Sequence, residues 1–322
     1  MQLMCRPGIV VITGPTATGK TAFGALFAKT GNGEVVSADS MQVYRHMDIG
    51  TAKPAENEKL GVAHHMIDVA MPWEDYSAAR YVSEATSCID DILSRGKLPV
   101  IVGGTGLYID SLLCGRVFAA RGGTELRKAL ENEYDEAGGE RMLQKLREAD
   151  AVSAGKLHPN DKKRIVRALE VYKTTGKTIS SHDLESKSAP PRYQAYKVGL
   201  MFSDRAELYR RIDDRVDSML SRGLENEVRC LLETGVTPGC TSMQAIGYKE
   251  MAEVILGQTA METAVERIKM ESRRYAKRQL TWLRRDPEIK WITWGQEPDI
   301  ESGVRTVIET YGLEDLTEFT SF

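Results

Sequence analysis

The feature that most constrains this chain is a glycine-rich loop between an apolar run and a stretch with helical character. Residues 8–13 read GIVVIT, and the residues that follow fit the pattern G-x-x-x-x-G-K-[ST] at every fixed position. A strand that enters such a loop and leaves it as a helix points several backbone N–H groups at one spot, where an anion can bind. The sequence therefore predicts a phosphate-binding loop formed by Gly14, Pro15, Thr16, Ala17, Thr18, Gly19, Lys20 and Thr21.

Two side chains of this loop have expected roles. Lys20 supplies a positive charge for phosphate oxygens, and the Thr21 hydroxyl is placed to hold Mg²⁺. The loop alone does not reveal whether the phosphate belongs to a nucleotide. The alternative is a glycine-rich turn that binds nothing.

Composition limits the classes of protein to consider. The 322 residues are 42% hydrophobic and 28% charged, as in an ordinary globular protein of one large or two modest domains. With a net charge of −3, any nucleic-acid site must be a local basic patch. The five cysteines include no C-x-x-C pair, which favours reduced thiols over a disulfide framework or zinc site. Because the N-terminal apolar run is too short to span a membrane, we expect a soluble cytoplasmic protein.

The first third of the chain alternates strand and helix signals, which is typical of a parallel sheet with crossover helices. Strands are predicted over residues 9–13, 34–38, 65–69 and 99–102, with a long helix over 76–93. Ligands of such sheets bind at the carboxyl ends of the strands, so the segments after these strands should face one crevice.

The middle of the chain loses its strand signal. Helices are predicted over residues 124–136, 140–148 and 161–174, followed by a polar stretch over 180–191. Strand character returns over 196–202, and helices over 205–222, 225–234 and 261–285 precede a last strand over 290–294. The expected fold class is α/β, with a P-loop NTPase-like parallel sheet core and a helical insertion domain. The predicted parts are residues 1–115 and 195–322 for the core and 116–194 for the insertion.

The second motif of P-loop ATPases and GTPases is missing. In those proteins an apolar strand ends in an Asp that helps to hold Mg²⁺. Here the best buried strand leads into Gly103-Gly104-Thr105-Gly106 with no carboxylate, which argues against a standard hydrolase or motor. The glycines and the Thr105 hydroxyl are predicted to approach a ligand closely. The alternative is a plain strand-to-helix connection that needs small residues.

One carboxylate, Asp39, leaves a core strand beside the phosphate loop. At the crevice it can accept a proton from a nucleophile, hold Mg²⁺ indirectly or cap the next turn. Gln42 nearby offers an amide that suits the edge of a purine.

Two clusters of cations suggest a polyanionic partner. One lies on the polar face of the predicted helix over 267–285, where few acids oppose Arg267, Arg273, Arg274, Lys277, Arg278, Arg284 and Arg285. The other contains Lys162, Lys163, Arg164 and Arg167. Either alone would be a solvated helix face, but together they favour contacts with nucleic-acid phosphates.

Two further groups invite an interpretation. Arg215 lies among many acids, and on the residues alone a surface ion pair is its expected role. His64 and His65 are adjacent on a predicted strand, so they point to opposite faces and are poor joint ligands for a metal.

Over nearly its whole length the chain resembles the bacterial tRNA dimethylallyltransferases, also called tRNA isopentenyltransferases. Beyond the phosphate loop, the resemblance rests on the motifs DSMQVYR from Asp39, DIGTAKP from Asp48, GGTGLY from Gly103, RIVRALEV from Arg164, AIGYKE from Ala245 and YAKRQLTWLR from Tyr275. The chain departs from the family pattern in having Thr18 where Ser is usual and His46 where Gly is common.

The resemblance implies transfer of a dimethylallyl group from dimethylallyl diphosphate to N6 of the adenosine just 3′ of the anticodon, with release of diphosphate. The implied partners are the tRNA anticodon arm and the prenyl donor. Lys20, the loop amides and Mg²⁺ on Thr21 would stabilise the leaving diphosphate. By family match, Thr105 and Arg215 join this clamp, which replaces the surface-pair interpretation of Arg215. Asp39 would accept the proton of the amine.

The resemblance also implies a set of tRNA contacts, to which the basic helix adds its last three members. This set is Asp39, Ser40, Met41, Gln42, Thr105, Arg127, Lys163, Arg164, Ile165, Val166, Arg167, Arg274, Lys277 and Arg278. An adenylate isopentenyltransferase, a P-loop small-molecule kinase and a nucleic-acid-binding NTPase are the alternative functions. We expect a monomer with no obligate protein partner.

Overall fold

A parallel six-stranded sheet forms the centre of the computed structural model, which describes residues 8–115, 118, 123–188 and 190–313. In chain order the strands are β1 (Gly8–Thr13), β2 (Gly33–Ser37), β3 (His64–His65), β4 (Leu98–Val102), β5 (Gln194–Phe202) and β6 (Lys290–Trp294). They lie side by side in the order β3-β2-β4-β1-β5-β6, and every pair is parallel. This confirms the predicted α/β fold.

Helices connect most of these strands, and one follows the last strand. They are α1 (Lys20–Thr30), α2 (Ala78–Ser94), α3 (Gly106–Leu113), α4 (Thr124–Ala137), α5 (Gly139–Ala149), α6 (Ala151–Ala154), α7 (Lys162–Thr175), α8 (Ile179–Ser188), α9 (Arg205–Ser221), α10 (Leu224–Glu233), α11 (Tyr248–Ile255), α12 (Met261–Leu283) and α13 (Ile300–Tyr311). A short 3₁₀ turn spans Ser242–Gln244.

The sheet is covered on both faces, as its sequence suggests. Every residue of β1 is buried, which explains why its sequence is continuously apolar instead of alternating. One hydrophobic cluster contains Ile9 and Val11 of this strand, and another contains Val10 and Ile12. Successive side chains of a strand point to opposite faces, so β1 contributes to the core on both sides.

Some local predictions are wrong in their extent. The strand predicted over residues 65–69 has only the two residues of β3, because Met66 and Asp68 adopt positive φ angles of 62° and 58° and turn the chain away. The polar stretch over 180–191 contains most of α8. Short α3 and α11 and the C-terminal α13 were not predicted. His46, where the family commonly has glycine, also has a positive φ of 63°.

The contacts divide the chain into two compact units. One is Cys114–Pro191, and the other combines the segments on either side of it. The unit Cys114–Pro191, called the second unit below, contains α4 to α8 around its own apolar cluster, which includes Leu130, Leu146 and Ile165. Residues 116, 117 and 119–122, at which the predicted insertion begins, lie outside the described part of the chain, as do the chain ends 1–7 and 314–322.

Candidate active site

The glycine-rich loop connects the carboxyl end of β1 to the N-terminus of α1. Its backbone needs glycine at Gly14 and Gly19, which have φ angles of 145° and 85°. A Cβ at Gly14 would lie 2.4 Å from the carbonyl oxygen of Leu200 in β5. The loop therefore lies close to the neighbouring strand, and its helix begins at Lys20 with free N–H groups at its first turn.

Lys20 turns back onto its own loop. Its Nζ donates a hydrogen bond to the carbonyl oxygen of Pro15 at 2.6 Å, and the Thr18 hydroxyl donates to the same oxygen at 2.9 Å. Within the described residues, no carboxylate forms an ion pair with Lys20. Burial and, less strongly, the nearby charge of Arg215 together lower the pKa of Lys20 to about 7, although the charge of Asp39 opposes this shift. The ammonium is thus held where an anion would be a favourable partner.

Asp39 follows β2 at the same edge of the sheet. Its Oδ1 accepts hydrogen bonds from the backbone N–H groups of Met41 at 2.8 Å and Gln42 at 3.3 Å. The capping role considered above is therefore real. However, no described residue hydrogen-bonds to Oδ2, so the carboxylate can cap the turn and still offer one oxygen to a ligand.

The loop after β4 lies directly against Asp39's segment. A Cβ at Gly103 would lie 2.2 Å from the carbonyl oxygen of Ala38, so only glycine allows this approach. Thr105 donates its N–H to the same carbonyl at 3.2 Å, and its hydroxyl accepts from the N–H of Ser40 at 3.1 Å. The small residues therefore join two strand ends, which supports the connection interpretation, while close approach of Thr105 to a ligand stays a prediction.

The Gln42 amide is used within the protein. Its Oε1 accepts from the Ser37 hydroxyl at 3.1 Å, and its Nε2 donates to the carbonyls of Thr51 at 3.4 Å and Ala52 at 3.2 Å. This arrangement holds the segment after β2 in place and does not support direct reading of a purine edge.

A cavity of about 340 Å³ brings these groups together. Lys20 and Thr21 of the phosphate loop line it, together with Asp39 and Arg215. Another part of its wall is apolar and comes from α9, with Ile212, Val216 and Met219. The cavity therefore has a charged side and an apolar side.

Arg215 reaches this cavity from α9. It is half-buried, and no carboxylate of the described residues lies within ion-pair distance of it, so the surface ion pair expected from its neighbours in sequence is wrong. Burial lowers the pKa of Arg215, while the charge of Asp39 raises it. Helix α9 turns the acids beside it in sequence to other faces, where Asp213, for example, pairs with Arg273 at 2.6 Å.

Two residues that α12 supplies to the cavity lie in the motif that begins at Tyr275, although the sequence pattern assigned neither of them a role. Tyr275 and Gln279 both line the cavity, and they share one helix face as an i, i+4 pair. Burial raises the pKa of Tyr275 to about 12, with a further contribution from Asp39. The available signal was Gln279 itself, a polar residue between the apolar Ala276 and Leu280.

Only some of the cations on the basic face of α12 lack an ion pair with a described residue. Arg267 pairs with Glu253, Arg273 with Asp213 at 2.6 Å, and Arg274 with Glu271 at 2.6 Å. The prediction that few acids oppose these cations is therefore wrong, because α9 and α11 contribute acids across the helix contacts. Lys277 and Arg278 are exposed without an ion pair among the described residues, and Arg278 lines the cavity.

The second unit contains the remaining predicted tRNA contacts. Lys163 and Arg164 are exposed on α7, whereas Ile165 and Val166 are fully buried in the apolar cluster of that unit. The side chains of Ile165 and Val166 are therefore structural, so any predicted contact of these residues with tRNA would have to come from their backbone. Arg167 contacts Glu170 at 3.1 Å, and Arg127 contacts Glu131 at 3.1 Å.

Across the described ranges, no group of three or more His, Cys, Asp or Glu side chains is placed to hold a metal ion. His65 contacts Glu34 at 2.7 Å, and His64 contacts the carbonyl of Val62 at 2.9 Å. None of the helices in the described ranges combines the length and apolar character needed to cross a membrane.

The fold and the site define an α/β protein of the P-loop type, in which a phosphate loop and an acidic residue from the adjacent strand end share one cavity. Comparison with protein families narrows this class. Residues 42–286 match the family described as IPP transferase, and residues 7–70 match that described as isopentenyl transferase.

Individual relatives of known name support the same family. The tRNA dimethylallyltransferase of Acetivibrio thermocellus is 46% identical over 309 residues, covering 95% of this chain and 98% of that protein. The enzyme of the same name from Caldanaerobacter subterraneus is 48% identical over 286 residues, covering 88% and 91%.

Solved structures give the same result. The tRNA isopentenylpyrophosphate transferase of Bacillus halodurans superposes with a TM-score of 0.71 at 39% identity, covering 98% of both chains. A eukaryotic dimethylallyltransferase acting on tRNA gives 0.79 at 31% identity, covering 97% of this chain and 79% of that one. This chain belongs to the tRNA dimethylallyltransferase family.

Proposed function

We propose that this protein transfers a dimethylallyl group from dimethylallyl diphosphate to N6 of the adenosine 3′-adjacent to the anticodon in tRNA, releasing diphosphate. The observation that carries the proposal is the shared cavity, in which Lys20 and Arg215 lie with Asp39 beside an apolar wall. A prenyl diphosphate has the matching halves, a polyanion and a hydrocarbon tail.

The charged side of the cavity is suited to bind diphosphate, the leaving group. Displacement of diphosphate from an allylic carbon places negative charge on the departing oxygens, and preorganised cations and N–H groups stabilise that charge. Lys20, Arg215 and the first-turn N–H groups of α1 fill this role. Ile212, Val216 and Met219 recur at i, i+4 and i+7 on α9, so their side chains form one apolar strip for the five-carbon tail.

The donor set fits Mg²⁺. Thr21 and Asp39 offer hydroxyl and carboxylate oxygens to the same cavity, and Mg²⁺ commonly binds one or two protein oxygens together with substrate phosphates. When bound, the ion would neutralise charge on the diphosphate. The dedicated ligand cluster that a tightly bound structural metal requires is missing from the residues described.

Asp39 is placed to take up the proton that the acceptor amine loses. As the C–N bond to the prenyl carbon forms and the C–O bond to diphosphate breaks, the N6 amine must lose a proton. Oδ2 of Asp39 can accept it, while the two hydrogen bonds to Oδ1 hold the carboxylate in position. The Thr105 hydroxyl supports this arrangement through Ser40.

The RNA must approach from outside the cavity. A base inside the anticodon loop has to leave its stack to meet Asp39, as in other enzymes that modify bases. Arg278 lines the cavity and Lys277 is exposed on the same helix, so both are placed for phosphates of the bound loop. In the second unit, Arg127, Lys163 and Arg164 remain candidates for contact with the anticodon arm. We further propose that the enzyme acts in the cytoplasm as a monomer.

The direct test is incubation with labelled dimethylallyl diphosphate, Mg²⁺ and either tRNA, AMP or ATP. Label in tRNA supports the proposal, and label in AMP would indicate an adenylate isopentenyltransferase. Hydrolysis of ATP without transfer would indicate an NTPase, and a phosphorylated small molecule a kinase. As a matched control, a tRNA with guanosine 3′ of the anticodon should accept no label.

A further inference from the structure

We propose that Gln279 is the positioning residue that fixes the phosphate loop for the prenyl donor, an inference that rests on the proposed function. Gln279 lies on α12, far along the chain from this loop. Its Oε1 accepts a hydrogen bond from the N–H of Thr16 at 3.0 Å, and its Nε2 donates to the carbonyl oxygen of Gly104 at 2.9 Å. One side chain thus joins the loop after β1 to the loop after β4.

The side chain of Gln279 is closely packed where it joins the two loops. Gln279 is 8% exposed, and a Cβ at Gly104 would lie 2.2 Å from its Nε2. An amide is the group that this position requires, because one end must accept a hydrogen bond from an N–H and the other must donate to a carbonyl. Reversal of the amide would place donor against donor and acceptor against acceptor. An apolar side chain of similar length would leave both backbone groups without these partners.

The phosphate loop is also held from its other side. Trp294, at the end of β6, donates its Nε1–H to the carbonyl oxygen of Thr18 at 3.0 Å. Gln279 and Trp294 therefore hold peptide groups on either side of Ala17, which has a positive φ of 64°. A loop held in this conformation presents its remaining N–H groups to diphosphate without further ordering on binding.

This geometry predicts an effect on the donor and not on the RNA. We expect Gln279→Met, which removes both hydrogen bonds but keeps the length of the side chain, to raise KM for dimethylallyl diphosphate about tenfold. The affinity for inorganic diphosphate with Mg²⁺ should fall by a similar factor. The Kd for tRNA should be unchanged, because Lys277 and Arg278 remain exposed on the helix. Gln258→Met, at an exposed position, is the matched control.

The Gln279→Glu variant allows a pH-dependent measurement that a purely structural role of Gln279 would not affect. A neutral carboxylic acid has one acceptor oxygen and one O–H donor, whereas a carboxylate has no donor for Gly104. Because burial favours the neutral acid over the carboxylate, kcat/KM for the donor relative to wild type should rise as the pH is lowered. For Gln279→Met, kcat/KM relative to wild type should not change with pH.

The outcomes separate this inference from the proposed function. Unchanged donor KM and diphosphate affinity in a folded Gln279→Met variant would overturn the positioning role. If that variant does not fold, a Gln279→Glu ratio that is independent of pH would overturn it. A wild-type protein that transfers nothing to tRNA would overturn the proposed function, while weaker diphosphate binding by Gln279→Met would still support the role of Gln279 in the loop.

Discussion

The Thr105 hydroxyl accepts a hydrogen bond from the backbone N–H of Ser40 at 3.1 Å, and this bond ties together the loops that follow β4 and β2. Ser40 is the residue next to Asp39, whose Oδ1 in turn caps the N–H groups of Met41 and Gln42. The carboxylate is therefore oriented by neighbouring backbone before any substrate binds. The catalytic predictions depend on this preorganisation.

Asp39→Asn separates charge from geometry. The amide oxygen of Asn can keep the hydrogen bonds that Oδ1 accepts, but the group can no longer take up a proton. We expect kcat to fall by about 10²- to 10⁴-fold while the Kd for tRNA and Tm stay near wild type. Single-turnover transfer and thermal unfolding measure these quantities.

A control for the cap itself is available. Asp299 caps α13 by accepting from the N–H of Ser302 at 3.1 Å, and it is not part of the cavity wall. Asp299→Asn should leave turnover unchanged. Normal turnover by Asp39→Asn would exclude Asp39 as the base.

Arg215 should act on the donor half of the reaction. Arg215→Gln removes a charge from the cavity, so KM for dimethylallyl diphosphate should rise and kcat should fall, each by about tenfold or more. Steady-state kinetics at saturating tRNA measures both. Arg222, exposed at the end of the same helix, provides the control Arg222→Gln with little expected effect. If the two substitutions had equal effects, Arg215 would have no specific role in binding the donor.

Lys277 and Arg278 should bind phosphates of the RNA. If each neutralises one phosphate, replacing both with Ala should reduce the slope of log K against log salt by about 1.5. Filter binding of tRNA across a salt series measures this slope. The control replaces Arg267 and Lys269, which pair with Glu253 and Asp217. An unaltered slope in the first variant would identify this part of α12 as an ordinary solvated face.

Gly103 should tolerate no side chain. A Cβ there would lie 2.2 Å from the oxygen and 2.4 Å from the carbon of the Ala38 carbonyl, and backbone cannot rotate away as a side chain can. We expect Gly103→Ala to lower the free energy of unfolding by about 1–3 kcal/mol and to reduce turnover by separating β2 from β4. Gly295→Ala, where a Cβ meets only open space, should change neither. Urea unfolding with parallel transfer assays gives both quantities.

Glu34 should make folding sensitive to acid. It is buried in β2, and its carboxylate contacts Arg95 at 2.5 Å, Lys97 at 2.7 Å and His65 at 2.7 Å. The hydrogen bonds from Arg95, with smaller contributions from Lys97 and His65, hold the pKa of Glu34 well below its ordinary value of 4.5, although burial opposes the shift. The stabilisation is therefore complete above about pH 4.5 and is lost as the pH falls towards the folded-state pKa.

Glu34→Gln tests this directly. At neutral pH the variant should be less stable by about 2 kcal/mol, since the cations lose a charged partner. The difference from wild type should shrink below about pH 4.5, where the carboxylate of the unfolded chain takes up protons. Glu56→Gln, which breaks an exposed pair with Lys59, should leave the stability almost unchanged. A constant Glu34→Gln difference across the acid range would contradict the assignment.

The sequence by itself determined the features that depend on local patterns. The phosphate loop, the strands around it and the acid after β2 each have a signal within about ten residues, because turn geometry and apolar periodicity act over that distance. The family motifs then indicated the chemistry. These features are sufficient to predict the α/β class and the position of Asp39 beside Lys20.

Only the tertiary structure decided which distant residues share the cavity. Packing of α9 against β5, and of α12 against α9, α11 and α3, turns Tyr275 and Gln279 inward, and no short-range pattern encodes that direction. For Arg215, only the family resemblance indicated the cavity, because its neighbours in sequence predicted a surface ion pair. In the second unit, packing of α4 and α5 against α7 buries Ile165 and Val166 within a motif whose first cation, Arg164, is exposed. A helix face acquires its environment from the elements that contact it, and those contacts join residues far apart in the chain.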